Sequence, residues 1–70
     1  MNIYEIARAR HNALADAYNA GRAAAQEDIR RGDCDAEGAQ ERHGGTMEER
    51  REVNAGYWDV MRETDDKFTK

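Results

Sequence analysis

The residue types that most often carry chemistry are few in this chain and widely spaced. Cys34 is the single cysteine, and His11 and His43 are the two histidines. A structural zinc site needs four ligands at characteristic close spacings, which these residues do not supply. A nucleophile pair of Cys34 and His43 would lie on a glycine-rich stretch with no third group to orient the imidazole. The sequence therefore predicts no zinc site and no catalytic cysteine, and it predicts that His11 packs on an apolar helix face.

The segment beginning at Asp33 resembles the opening of a calcium-binding loop, with acidic residues at alternate positions and Gly38 sixth. The twelfth position, however, is Gly44 rather than the glutamate whose two carboxylate oxygens close the coordination shell. We therefore predict no metal ion, no cofactor and no enzyme activity. A protein of this kind is expected to act by binding another macromolecule.

Length and composition favour one small helical domain, covering residues 1–70. Charged residues make up 37% of the chain and proline is absent, while alanine, glutamate and arginine are abundant. A core this small usually needs a partner or a second copy for support, because one cysteine forms no intrachain disulfide. With no secretory leader, no apolar span and a lone cysteine, the expected location is the cytoplasm and no membrane contact is predicted.

Two capping patterns predict the long helices. Asn2 with Glu5, and Thr46 with Glu49, have the spacing of capping boxes, and Gly32 suits the left-handed position after a helix end. These signals predict helices at 3–31 and 47–68, joined by a glycine-rich hinge at 32–45 that carries a possible short helix. The predicted fold is all-α, an antiparallel helical hairpin, and a homodimer is left open beside a monomer.

Small residues in the middle of each helix indicate where the two helices meet. Asn-Ala-Gly occurs at 19–21 and again at 54–56. Because glycine inside a helix costs about 1 kcal/mol relative to alanine, close packing is expected to compensate at both positions. The residues predicted to form this contact are Tyr18, Ala20, Gly21, Gly56, Tyr57 and Trp58.

The first helix is longer than the second, so part of its apolar face is expected to stay uncovered. Its N-terminal end is the farthest from the predicted glycine contact, and a cluster of exposed apolar side chains usually marks an interface. The alternative is that Phe68 and the last turn fold back over this end. The candidate interface residues are Ile3, Tyr4 and Ile6.

In the middle of both helices the chain resembles the ribosome modulation factor family. Members of this family are small two-helix bacterial proteins, and similar short proteins occur in phages. About half of the chain is covered by the resemblance. It implies a regulatory protein that docks on the translation machinery. The matching residues are Tyr18, Ala20 and Gly21, followed by Arg50, Arg51, Gly56, Tyr57 and Trp58.

Charge leaves two hypotheses for the partner, which is expected to be a protein or a ribonucleoprotein complex. The net charge of -4 disfavours direct nucleic-acid binding. In the first hypothesis the chain docks on the translation machinery through arginines of the first helix. In the second hypothesis it is a phage-encoded inhibitor of the anti-CRISPR type, and its acidic second half blocks a nucleic-acid-binding site. The arginines are Arg8, Arg10, Arg22, Arg30 and Arg31, and the acidic residues are Glu48, Glu49, Glu52, Asp59 and Glu63.

Overall fold

The computed structural model of this chain describes residues 2–68, with the surroundings of side chains for residues 2–65. It consists of α1 (Ile3–Arg31), α2 (Ala36–His43) and α3 (Met47–Phe68). The structure is 88% helical, and the described residues contain no strand. The predicted all-α fold, with two long helices and a short one between them, is confirmed.

Local capping explains where the helices begin and end. The Asn2 side chain accepts a hydrogen bond of 2.8 Å from the backbone N–H of Glu5, and Thr46 accepts one of 3.2 Å from the N–H of Glu49. Gly32 has a φ of 74°, and its N–H bonds back to the last turn of α1. This left-handed conformation suits glycine because it has no Cβ.

The two long helices approach most closely at their glycines. A Cβ on Gly21 would overlap the carbonyl group of Val53, coming within 2.7 Å of its carbon. A Cβ on Gly56 would overlap the carbonyl group of Tyr18 in the same way, within 3.0 Å of its carbon. Each glycine therefore lets one backbone rest against the other, as the repeated Asn-Ala-Gly pattern predicts.

The long helices run in the same general direction. If they were antiparallel with Tyr18 beside Gly56, Glu48 would lie about 24 Å along the axis from Arg10, beyond the reach of two side chains. Glu48 and Arg10 are instead joined directly. The antiparallel direction expected for these two helices is therefore not what the contacts show. The side-chain pairs ascend along both helices: Arg10 with Glu48, Tyr18 with Asp59, and Arg22 with Glu63.

Helix α2 carries the chain back from the end of α1 to the start of α3. Near its start Asp35 bonds to Tyr57, in its middle Gln40 donates a 3.1 Å hydrogen bond to Asn54, and at its end His43 lies near the first turn of α3. α2 therefore runs antiparallel to α3. The core is thin, since among residues 2–65 Tyr57 and Val53 are the only large side chains that are almost fully buried. Its members are Ala17, Ala25, Ala39, Val53, Tyr57 and Val60.

Candidate functional site

A buried polar cluster ties the three helices together. The Tyr57 hydroxyl donates a 2.7 Å hydrogen bond to Asp28, which is only 3% exposed, and accepts one of 2.8 Å from the backbone N–H of Asp35. The hydrogen bond from Tyr57 lowers the pKa of Asp28, although desolvation opposes this shift. Burial, followed by the bond to Asp28, raises the pKa of Tyr57 above its usual value. Each group is satisfied within the monomer, so the cluster is structural.

Several charged residues expected to contact a partner instead hold α1 against α3. Arg10 donates three hydrogen bonds to the carboxylate of Glu48, at 2.5, 2.6 and 3.2 Å. Arg22 and Glu63 form a second two-pronged pair at 3.1 Å. Such paired geometry fixes orientation, but exposed ion pairs contribute little stability. These pairs therefore orient the two helices at their crossing.

A third link joins Tyr18 to Asp59, whose carboxylate also pairs with Arg62. These bonds, first that from Tyr18 and then that from Arg62, lower the pKa of Asp59.

The five arginines of α1 do not form one basic surface. Arg8 and Arg10 lie about 200° apart around the helix, because successive residues turn by about 100°. Arg10 and Arg22 are paired with α3, and Arg30 is paired at 3.1 Å with Glu27 on its own helix. The acidic candidates are engaged in a similar way, since Glu48, Glu63 and Asp59 bind the partners given above. Among the remaining members of the two sets, Glu49 lies 3.8 Å from His43.

The N-terminal end of α1 is uncovered, as the sequence predicts. Ile3 is 79% exposed, Tyr4 81% and Ile6 52%. The side chain of Phe68, the alternative cover, lies outside the described residues. The direction of α3 nevertheless carries its C-terminal end away from Ile3.

An apolar groove adjoins this end, between α1 and the first turn of α3. It has a volume of about 480 Å³, and Ala13, Leu14 and Met47 form its apolar walls. Met47 is 68% exposed. The pair of Arg10 and Glu48 stands at its rim. The groove and the exposed end of α1 thus form one apolar region.

The outward face of α3 presents a second surface, here called the Trp58 face, made of Arg51, Ala55, Trp58 and Arg62. These residues are spaced by three and four along the helix and are all exposed. Trp58 is 49% exposed, and its indole N–H donates a 3.0 Å hydrogen bond to Asn54. Its ring also meets Tyr57 edge to face, with centroids 6.1 Å apart. The indole is thus held in one orientation while remaining accessible.

Two sequence predictions about packing are wrong. Trp58 does not lie in the glycine contact, because it projects from the side of α3 where Asn54 supports it. His11 is exposed beside a shallow groove, which Glu52 of α3 also lines, instead of being packed. The other predicted contact residues behave as expected, with Gly21, Gly56 and Tyr57 buried and Tyr18 and Ala20 partly buried.

Sequence reasoning missed the link between Asp28 and Tyr57. The hydrogen bond joins residues 29 positions apart, and Asp28 stands in no motif. The signal available was an acidic residue at a core-facing position of α1, four residues before the glycine that ends the helix. Asp28 follows Gly21 and Ala25 at helical spacing, and this spacing places it on the buried face of α1.

Other classes of site find no support in the described part of the chain. Residues 2–65 contain no group of three or more histidine, cysteine, aspartate or glutamate side chains placed to hold a metal ion. Among the described helices, none has an apolar stretch long enough to cross a bilayer. Protein-family models, curated proteins and solved structures show no significant match to this chain.

Proposed function

We propose that this chain is a small, non-enzymatic, cytoplasmic regulatory protein that docks on the translation machinery, with the Trp58 face as its contact surface. The observation that carries the proposal is that the segment resembling ribosome modulation factor has some residues buried in the helix contact and others exposed on the surface. Gly56 and Tyr57 are buried against α1 and α2. Arg51 and Trp58 of the same segment remain on the surface.

The chemistry of the Trp58 face suits a ribonucleoprotein. Tryptophan and arginine are the residues most enriched among interface side chains that dominate binding energy. An accessible indole also stacks on bases, and a guanidinium pairs with phosphate. Because Asn54 and Tyr57 already orient Trp58, little conformational entropy is lost when a partner covers it.

Net charge limits how the proposed complex forms. At -4 the chain is repelled at long range by ribosomal RNA. Binding is then governed by short-range contacts of Trp58 and Arg51, and we expect a weaker dependence on salt than for a basic RNA-binding protein.

Co-sedimentation with purified ribosomes tests the proposal. We expect the wild-type chain to pellet with ribosomes, and Trp58→Ala to weaken binding at least tenfold, since losing such an anchor costs about 2 kcal/mol or more. The matched control is Tyr4→Ala, which removes an even more exposed aromatic ring from the N-terminal end of α1 and should leave binding unchanged. A wild-type chain that stays in the supernatant, or equal binding by Trp58→Ala, contradicts the proposal.

The inhibitor hypothesis is distinguished by a different outcome. Recovery of a CRISPR effector complex, with competition between this chain and nucleic acid, would favour it. Charge reversal of Glu52, an acidic candidate at the edge of a groove beside His11, should then abolish capture, whereas Trp58→Ala should not.

A further inference from the structure

The apolar seam of α1 continues beyond the point where α3 begins. Ala17, Gly21, Ala25 and Asp28 are its buried positions, recurring at steps of three or four. The same steps continue towards the N-terminus through exposed or partly buried positions. We call these the N-terminal stripe: Ile3, Ala7, Arg10 and Leu14.

We propose that a second copy of this chain covers the N-terminal stripe, forming a two-fold dimer in which the first halves of the two α1 helices pack antiparallel. The inference is independent of the ribosome proposal, since the Trp58 face takes no part in it. A surface that covers its own copy must be self-complementary about the two-fold axis. The stripe meets this condition in spacing, in side-chain size and in charge.

The spacing of the stripe sets the register of the dimer. Steps of four, three and four make Ile3 and Arg10 one type of seam position, and Ala7 and Leu14 the other. In an antiparallel pair each type faces the other type. Ile3 of one copy therefore packs on Leu14 of the second, and Ala7 packs on the aliphatic stem of Arg10. The Arg10 charge is already neutralised by Glu48 in its own copy.

Side-chain size is complementary beside the stripe. In this register Ile6, which is 52% exposed, lies against the small Ala13 of the second copy. Ala13 forms one wall of the groove of about 480 Å³ that also includes Met47. Tyr4 lies beside His11 of the second copy on the other flank, where both side chains are exposed. One rotation thus covers the most exposed apolar side chains at this end in both copies.

The size of the contact predicts a reversible dimer. A standard stable interface covers about 800 Å² per partner, which is about 15% of the 5401 Å² surface of this chain. Only one face of residues 3–14 is covered in the proposed dimer, so the contact is smaller than standard. We therefore expect dissociation in the micromolar range. Because the monomer core is thin, apolar surface buried in a dimer would add to the stability of the fold, as it does in many small domains that depend on oligomerisation.

Sedimentation equilibrium over a concentration series tests the dimer. We expect the wild-type chain to pass from monomer to dimer across micromolar concentrations, and the Ile3→Asp, Ile6→Asp double variant to remain a monomer with an unchanged helical circular dichroism spectrum. Both residues are exposed in the monomer, so folding should not suffer. Trp58→Ala is the matched control and should dimerise like wild type. A wild-type monomer at all concentrations, or a dimeric double variant, overturns the proposal.

Disulfide trapping tests the register. In a Cys34→Ser background, Ile3→Cys and Leu14→Cys are prepared as separate proteins and mixed under mild oxidation. Their Cα atoms should approach disulfide range, about 4.4–6.8 Å, whereas like cysteines lie about 16 Å apart along the axis in the proposed pair. We expect cross-linking in the mixture and none in either protein alone. Cross-linking of Ile3→Cys with itself, or none in a mixture shown to be dimeric, overturns the register.

Discussion

At the residue scale, glycine serves two different purposes in this chain. Gly21 and Gly56 have helical backbones, and what matters is the missing Cβ, which lets α1 and α3 touch through their backbones. Gly32 has open space around it but a φ of 74°, so what matters there is conformation. Substitutions at the two kinds of position should therefore fail for different reasons.

The close contact predicts the effect of Gly21→Ala. At an ordinary helix position this change stabilises by about 1 kcal/mol, but here the new Cβ would overlap the Val53 carbonyl group. We expect a loss of about 1–3 kcal/mol in the free energy of unfolding, measured with urea. The reverse change at an exposed position of the same helix, Ala23→Gly, reports the propensity alone. A stabilised Gly21→Ala variant would show that the backbones do not touch.

The buried carboxylate predicts a dependence on pH. Because the pKa of Asp28 is lowered in the folded chain, its contribution is present above the unfolded value, about 3.9, and is lost as pH falls through the folded value. We expect Asp28→Asn to destabilise by about 1–3 kcal/mol at pH 7. The difference from wild type should shrink in acid. Thermal melts from pH 7 to pH 2 measure this, with the exposed Asp33→Asn as a control that should show little effect. A constant difference across that range would contradict this role for Asp28.

At the element scale, the sequence predicts the ends of the long helices and their contact face, but it does not predict their relative direction. Caps are local, so Asn2, Thr46 and Gly32 define the ends of α1 and α3 directly. The repeated Asn-Ala-Gly likewise identifies the contact face. Direction depends on the path of residues 32–46, where α2 returns alongside α3, and no local pattern encodes that path.

Distances between spin labels test this direction. In a Cys34→Ser background, labels at positions 8 and 51 should be closer together than labels at 8 and 62, because Glu48 pairs near the N-terminal third of α1 and Glu63 pairs with Arg22. An antiparallel pair reverses the order, placing position 62 beside position 12, only about 6 Å along the axis from position 8. Double electron-electron resonance measures both distances. The reversed order would contradict the fold.

At the scale of the whole molecule, the residues that join the helices to one another differ from those that are exposed for a partner. Half of the charged side chains suggested for a partner join α1 to α3, as Arg10 and Arg22 do with Glu48 and Glu63. The exposed apolar and aromatic groups lie on two separate surfaces, the N-terminal stripe with its flanks and the Trp58 face. We propose a second copy of the chain as the partner of the first surface and the ribosome as the partner of the second. Sequence could nominate Ile3 and Ile6 because helix lengths differ, but the accessibility of Trp58 required the structure.

The most direct test of the central claim uses Trp58 as its own reporter. It is the single tryptophan of the chain, so growth on 5-fluorotryptophan places one fluorine-19 signal on the proposed contact surface. We expect that signal to broaden and disappear when ribosomes are added, because the indole becomes part of a very large particle. Excess unlabelled wild-type chain should restore the signal, whereas unlabelled Trp58→Ala should not. A sharp, unshifted signal at saturating ribosome concentration would contradict docking through Trp58.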